Sequence, residues 1–191
     1  MAWAALPETA AWTHREARSG FEVAWFAKTD GGTQLTGCTT AIEDGWTWAV
    51  DYEIRVDDSW CTRRARVRGR SASGERTVVL TTDGHGHWRV DGEPAPQLDG
   101  CLDIDLESSA MTNALPVHRF ALRPGDRADS PAAYVRASDL TVQRLEQEYE
   151  RVDASGLSYD YTSRAFDFSC RLVYDDAGLA LEYPGIAVRF A

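Results

Sequence analysis

The stretch WTWAVDYEIRV, residues 46–56, decides the fold class. Trp46, Trp48, Val50, Tyr52, Ile54 and Val56 alternate with Thr47, Ala49, Asp51, Glu53 and Arg55. Successive side chains of a strand point to opposite faces, so this period of two gives one apolar face and one wet face. An α-helix would scatter the same apolar residues around its axis. The stretch therefore predicts a long, half-buried antiparallel strand.

The same grammar extends in both directions. Asp57-Asp58-Ser59 reads as a turn, after which the chain returns through Trp60. Arg64, Arg66 and Arg68 then alternate on one face, where Asp51, Glu53 and Asp57 of the preceding strand can stand beside them. Such exposed cross-strand pairs contribute only about 0.2–1 kcal/mol each, so they set register more than stability. Upstream, Phe21, Val23 and Trp25 share one face before Asp30-Gly31-Gly32 turns the chain. Downstream, Thr77 opens a β-branched run, Trp88 and Val90 mark a short strand, and Leu102, Ile104 and Leu106 alternate with Cys101, Asp103 and Asp105. Phe166, Phe168, Cys170, Leu172 and Tyr174 alternate with polar residues. A turn at Asp175-Asp176-Ala177-Gly178 leads to Leu179, Leu181 and Tyr183, and Ile186, Val188 and Phe190 follow Pro184-Gly185.

Residues 140–152 carry two patterns. Leu145, Tyr149 and Val152 fit helical spacing behind a Ser138-Asp139 cap. Thr141, Val142 and Tyr149 suit a strand, followed by a hairpin turn at Asp153-Ala154-Ser155-Gly156; the strand is the preferred reading. In all, roughly a dozen strand candidates recur at the spacing of an all-β barrel or sandwich, with no clear helix. Asp44-Gly45-Trp46 leading to Tyr52 echoes Ala177-Gly178-Leu179 leading to Tyr183, a hint of two related halves that is too short to count as a repeat.

Bulk properties narrow the function. The 191 residues, 43% hydrophobic and 26% charged, are those of an ordinary globular domain, taken as one unit over residues 1–191. A net charge of -10 repels phosphate and argues against a nucleic-acid partner. No apolar run is long enough to span a bilayer, and residues 1–8 lack a basic region followed by an apolar core, so a cytoplasmic protein is expected. Cys38, Cys61, Cys101 and Cys170 have no metal-like spacing and read as free buried thiols.

Residues 83–119, DGHGHWRVDGEPAPQLDGCLDIDLESSAMTNALPVHR, are densest in chemistry. His85 and His87 stand two apart, as metal ligands can, but His85 lies between two glycines with no third ligand in register, and no metal is expected. Asp103 and Asp105 fall on one side of a strand, about 7 Å apart, as an acid and base could; they equally suit the wet face of that strand. No nucleophile elbow or phosphate-binding glycine loop is present, and Cys101 reads as a structural thiol, so no catalytic residue and no cofactor are assigned. Seven tryptophans and seven tyrosines remain. Trp46, Trp48 and Tyr52 share a face, with Trp25 and Trp88 on neighbouring strand candidates. Aromatic faces suit acyl chains and sugar rings, although plain core packing uses the same residues.

These residues carry a resemblance. Trp88 to Gly92 (W-x-V-D-G), Leu98 to Leu106 (L-D-G-C-L-D-I-D-L), Thr112 to Pro116 (T-N-A-L-P) and Arg119 resemble the bacterial family described as putative glycolipid-binding. The likeness continues through Gln147, Tyr149, Asp176 to Gly178 and Tyr183-Pro184-Gly185, and reaches back to Gly20, Glu22, Gly37, Tyr52 and Trp60. The chain departs from the pattern at Ser109-Ala110-Met111 and at Val117-His118-Arg119, both expected in a connecting loop. The resemblance implies an all-β, many-stranded antiparallel barrel or half-barrel, similar to periplasmic carriers of lipoproteins. That is fold analogy, which says less about function than a site does.

Together these readings predict a binding protein for an amphipathic or apolar molecule. Trp46, Trp48, Tyr52 and Trp88 would face its apolar part, and its headgroup would lie near T-N-A-L-P. The polar residues shared with the family that could meet it are Glu22, Asn113, Arg119, Gln147 and Tyr149. Glu22 and Arg119, if both internal, could be each other's partners. The rival readings are a hydrolase using Asp103 and Asp105 and a structural protein with a filled barrel.

Overall fold

The computed structural model describes residues 3–120, 122–152 and 157–190. Eight strands come first: β1 (Thr9–His14), β2 (Ser19–Thr29), β3 (Gly32–Glu43), β4 (Trp46–Asp57), β5 (Thr62–Ser71), β6 (Gly74–Thr82), β7 (Trp88–Val90) and β8 (Glu93–Pro94). Then come β9 (Asp103–Leu106), a 3-10 turn (Met111–Asn113), helix α1 (Ala114–Arg119), β10 (Arg127–Asp129), β11 (Ala132–Val135), β12 (Val142–Leu145) and β13 (Gln147–Arg151). The last strands are β14 (Ser158–Ser163), β15 (Phe168–Tyr174), β16 (Ala180–Tyr183) and β17 (Ala187–Phe190). The strand reading of residues 140–152 therefore holds, and β13 pairs with β14 as a hairpin. Its expected turn at 153–156 lies outside the described residues.

Fourteen strands form one antiparallel sheet in the order β10-β13-β14-β15-β16-β17-β1-β2-β3-β4-β5-β6-β7-β8. β10 and β8 stand at opposite ends, so the sheet curls without closing: a half-barrel. First and last strands meet in its middle, with Ala11, Trp12, Thr13 and His14 opposite Phe190, Arg189, Val188 and Ala187. Uninterrupted alternation fixes the register. Phe26, Leu35, Ile54, Ala65 and Leu80 align across five strands as one inward row, and Ala24, Gly37, Tyr52, Val67 and Val78 form the next. Asp44 (φ 50°) and Gly45 (φ 81°) are both left-handed, which suits the tight β3–β4 hairpin.

The concave side is not empty. A small sheet, β12-β11-β9, lies inside it, and β9 pairs with β11 in parallel. Parallel neighbours need a long crossover, which the 3-10 turn and α1 supply. T-N-A-L-P is thus helical, where a loop was expected: a helix of six residues is too short to show a period. Four contacts pin this insertion to the large sheet. Thr62 N–H donates to the Leu102 carbonyl at 2.9 Å, and the Thr62 hydroxyl accepts from Ile104 N–H at 3.1 Å. The Thr39 hydroxyl donates to the Ser108 carbonyl at 2.8 Å, and Trp88 Nε1 donates to the Cys101 carbonyl at 2.8 Å. Ile104, Leu106, Met111 and Leu115 then pack with Leu35, Ile54 and Leu80 in one core. A second cluster, around Tyr149, Tyr159, Tyr161, Leu172 and Tyr174, lines the C-terminal strands.

Several expectations change. Trp48 and Tyr52 are buried, but Trp46, at the strand end, is 65% exposed. On β2 the faces are reversed: Glu22 and Ala24 point inward, while Phe21 and Trp25 are exposed, Trp25 by 47%. Arg66 and Arg68 do oppose Glu53 and Asp51 in register, yet the close ion pairs are Arg70–Asp51 at 3.2 Å and Arg68–Glu75 at 2.6 Å. Long side chains reach diagonally. Asp103 is 2% exposed and belongs to no wet face, because its strand is covered on both sides. All four cysteines are free. Among the described residues, no helix is long and apolar enough to cross a membrane.

Candidate functional site

Between the insertion and the C-terminal strands lies a cavity of about 230 Å³. Asp105, Leu106, Glu107, Ser109 and Asn113 line one side, contributed by β9 and the turn after it. Tyr161, Ser163, Phe168 and Tyr183 of β14 to β16 line the other, joined by Tyr134, Leu145 and Arg18. Phe166, 51% exposed, and Ile186 stand at the rim. The lining is therefore polar on the insertion side and mostly aromatic on the sheet side.

Alternation explains this placement. Asp105 and Glu107 are two apart and fall on the same side of the chain, as do Tyr161 and Ser163. Asp105 accepts from the Thr112 hydroxyl at 3.0 Å and from Gln147 Nε2 at 2.6 Å, and Gln147 also reaches the Tyr161 hydroxyl at 3.1 Å. Burial outweighs those bonds and lifts the Asp105 carboxyl to about 6. Glu107 Oε2 accepts from Ala137 N–H at 2.7 Å. The Tyr149 hydroxyl donates to Asn113 Oδ1 at 3.1 Å, and the Tyr174 hydroxyl donates to the Asn113 carbonyl at 3.2 Å. Burial pushes the hydroxyls of Tyr149, Tyr161 and Tyr174 up, so they remain proton donors at neutral pH.

Of the residues singled out from sequence, Asn113 lines the cavity, and Gln147 and Tyr149 bond to its lining. Glu22 and Tyr52 meet just outside it: the Tyr52 hydroxyl donates to Glu22 Oε1 at 2.8 Å. Ser109 Oγ donates to the same oxygen, and Ala110 N–H donates to Oε2 at 2.7 Å. Glu22 has no exposed surface, and burial lifts its carboxyl to about 7 against those hydrogen bonds. Gly37 makes the arrangement possible, since a Cβ there would lie 2.2 Å from the Tyr52 ring and hydroxyl. Trp48 packs in the core under the Arg18 guanidinium, 5.3 Å away. Trp46 and Trp88 do not line the cavity.

Arg119 does not pair with Glu22. Its Nη2 and Nε donate to the two oxygens of Asp103 at 2.5 and 3.2 Å, and Ser130 Oγ donates to Asp103 at 2.9 Å. Asp103 is thereby saturated by an ion pair while Asp105 faces the cavity, so the two carboxylates do not act on one space. His87 bonds Asp83 at 2.7 Å on an exposed turn. Sequence reasoning missed Glu107, Ser109, Tyr134, Ser163 and Arg18. The alternation of Tyr159, Tyr161 and Ser163 and that of Phe166 and Phe168 were the available signals; nothing near Arg18 marks it.

The fold and this site define a class: an open antiparallel half-barrel holding its own crossover insertion, with a cavity of mixed polar and aromatic lining between that insertion and the C-terminal strands. The chain belongs to the family described as "Putative glycolipid-binding", whose pattern matches residues 9–189. It is also similar to the crystal structure of a DUF1089 family protein from Pseudomonas aeruginosa, with 34% identity, a TM-score of 0.81, and coverage of 100% of this chain and 98% of that one. No curated protein matches it.

Proposed function

We propose that the protein is a cytoplasmic binding protein for a small glycolipid-like amphiphile. The headgroup lies beside Asn113 and Asp105, and the chain leaves over Phe166, Phe168 and Ile186. One observation carries this reading: a single cavity joins carboxylate and amide groups on one wall to phenyl and phenol rings on the other. Aromatic faces cover the C–H faces of a sugar or an alkyl chain, and a few placed polar groups fix the orientation of a headgroup. The volume of about 230 Å³ is below the roughly 300–1,000 Å³ of pockets that enclose a drug-sized ligand, so it suits a headgroup rather than a whole lipid. Family membership supports the ligand class, and the unpaired cysteines support the compartment. Gln147 and Tyr149 hold Asp105 and Asn113 in place, while Glu22 and Tyr52 brace the turn at Ser109.

Isothermal titration with eight-carbon amphiphiles, below their micelle concentrations, tests the reading. At least one should bind saturably, and Phe166→Ala, a change at a half-exposed rim position, should weaken it about 5–10-fold. No saturable binding by any of them, together with no adduct in native mass spectrometry of protein purified from cells, would overturn it.

A further inference from the structure

We propose that the outer, convex face of the large sheet is where two copies of the chain associate, with β1 of one lying along β1 of the other. The observation behind this is a band without charge. Register places Phe21, Val23 and Trp25 of β2 on the outer face, beside Thr13, Ala11 and Thr9 of β1. On one side Phe190 and Val188 of β17 stand next to Ala11 and Thr13, and on the other Cys38 and Thr36 of β3 stand next to Val23 and Trp25. Every side chain that β17, β1, β2 and β3 send outward is uncharged, in a chain that is 26% charged. By the same alternation their charged residues, Glu22, Lys28, Glu43 and Arg189, fall on the opposite face.

The band is also apolar. Of the seven large hydrophobic side chains left exposed among the described residues, four lie on it: Phe21, Trp25, Ile42 and Phe190. The rings of Phe21 and Phe190 meet edge to face across β1, 5.9 Å apart. A contiguous exposed apolar patch of this kind marks a place of association.

The flanks identify what covers it. Counted outward from β1, β4 is the third strand on one side and β15 the third on the other, and β5 and β14 are the fourth. β4 sends out Asp51 and Glu53, where β15 sends out Arg171. β5 sends out Arg64, Arg66, Arg68 and Arg70, where β14 sends out Asp160. A two-fold axis along β1 lays each strand over its counterpart in the second copy, so carboxylate and arginine face each other at both positions. Glu182 of β16 then lies over the neutral β3, and Phe21 of β2 lies over the partner's Phe190. The face is thus complementary to itself, as a two-fold interface requires. Two sheets pack in this way roughly 10 Å apart with strands about 30° from parallel. A lipid surface would match the aromatic band, but it gives no reason for the signs to reverse across β1.

Both faces are convex, so the charges stand at the rim and set orientation more than affinity. A contact confined to four strands belongs with the smaller interfaces, and half-dissociation on the order of 10–100 µM is expected. The concave side stays free, so this pairing does not depend on what the cavity holds.

Sedimentation velocity of the unaltered protein between about 1 and 300 µM tests the proposal. The weight-average mass should rise from that of one chain toward that of two. Phe21→Glu and Phe190→Glu should each weaken association at least tenfold, with near-UV circular dichroism unchanged. Arg66→Glu, which sets a carboxylate over the partner's Asp160, should weaken it about threefold. Trp46→Glu, exposed but off the band, should leave it as it is. The mass of one chain at every concentration overturns the proposal, as does unchanged association of both phenylalanine variants. A single chain that instead co-sediments with phosphatidylcholine vesicles, and loses them on Phe190→Glu, also overturns it and gives the band to a lipid surface.

Discussion

Glu22 is an acid sealed in the protein with hydrogen-bond donors but, among the described residues, no cation paired with it. Its carboxyl titrates near 7 when folded and near 4.5 when unfolded. Between those values the folded protein keeps a proton that the unfolded chain has released, so stability falls as pH rises through the window. Each unit of difference is worth about 1.4 kcal/mol, which puts the total loss on the order of 3 kcal/mol. Asp105 acts in the same direction up to about 6, and the buried His14 and the partly buried His118, both lowered to about 4, act in the opposite direction below 6.5. Denaturant melts of the unaltered protein and of Glu22→Gln should therefore diverge in pH dependence between about pH 4.5 and 7, with the contribution of Glu22 missing from the variant. Gly37→Ala should cost about 1–3 kcal/mol by overpacking against Tyr52 and should disturb the same titration. Glu22, Gly37 and Tyr52 were each legible as residues of interest. That they form one unit was not, because they lie on three strands and only the register brings them together.

At the level of elements, periodicity revealed that strands exist but not always which way they face. β4 was read correctly from Trp48 to Val56, where its inner row is apolar throughout, but not at Trp46, which the strand end leaves exposed. β2 was not: Phe21, Val23 and Trp25 look like an inner face, yet the insertion crowds the concave side and leaves room there for Gly20, Ala24 and the hydrogen-bonded Glu22. The position of Trp25 predicts that Trp25→Ser changes thermal stability little, whereas Ile54→Ala in the buried row should cost about 2–5 kcal/mol. β9 was legible as a strand, but its parallel partner lies beyond α1, and nothing local encodes that pairing. The pair Arg119–Asp103 ties α1 to this strand with both side chains largely buried. Arg119→Met would leave Asp103 charged and unpaired, so a loss of about 3–5 kcal/mol is expected in urea melts. Asp103→Asn combined with Arg119→Met should recover part of it, since the uncompensated charge is then gone.

Across the whole molecule, the half-barrel was legible because long alternating strands at regular spacing have few other ways to bury their apolar faces. The cavity was not, since its walls come from segments as far apart as Arg18 and Ile186. The large sheet is two runs of strands, β1 to β8 and the C-terminal group, stitched together where β17 lies between β16 and β1. Ala187→Pro, at a buried position of that central strand, should abolish cooperative unfolding in thermal melts, since proline removes a ladder bond there.

The same stitch governs how the molecule is born. A ribosome delivers β1 long before β17, so until β17 emerges the earlier strand presents an unsatisfied edge of backbone N–H and C=O groups. Contacts so distant along the chain form slowly, and the nascent N-terminal run must wait, exposed to mispairing, until its final neighbour emerges.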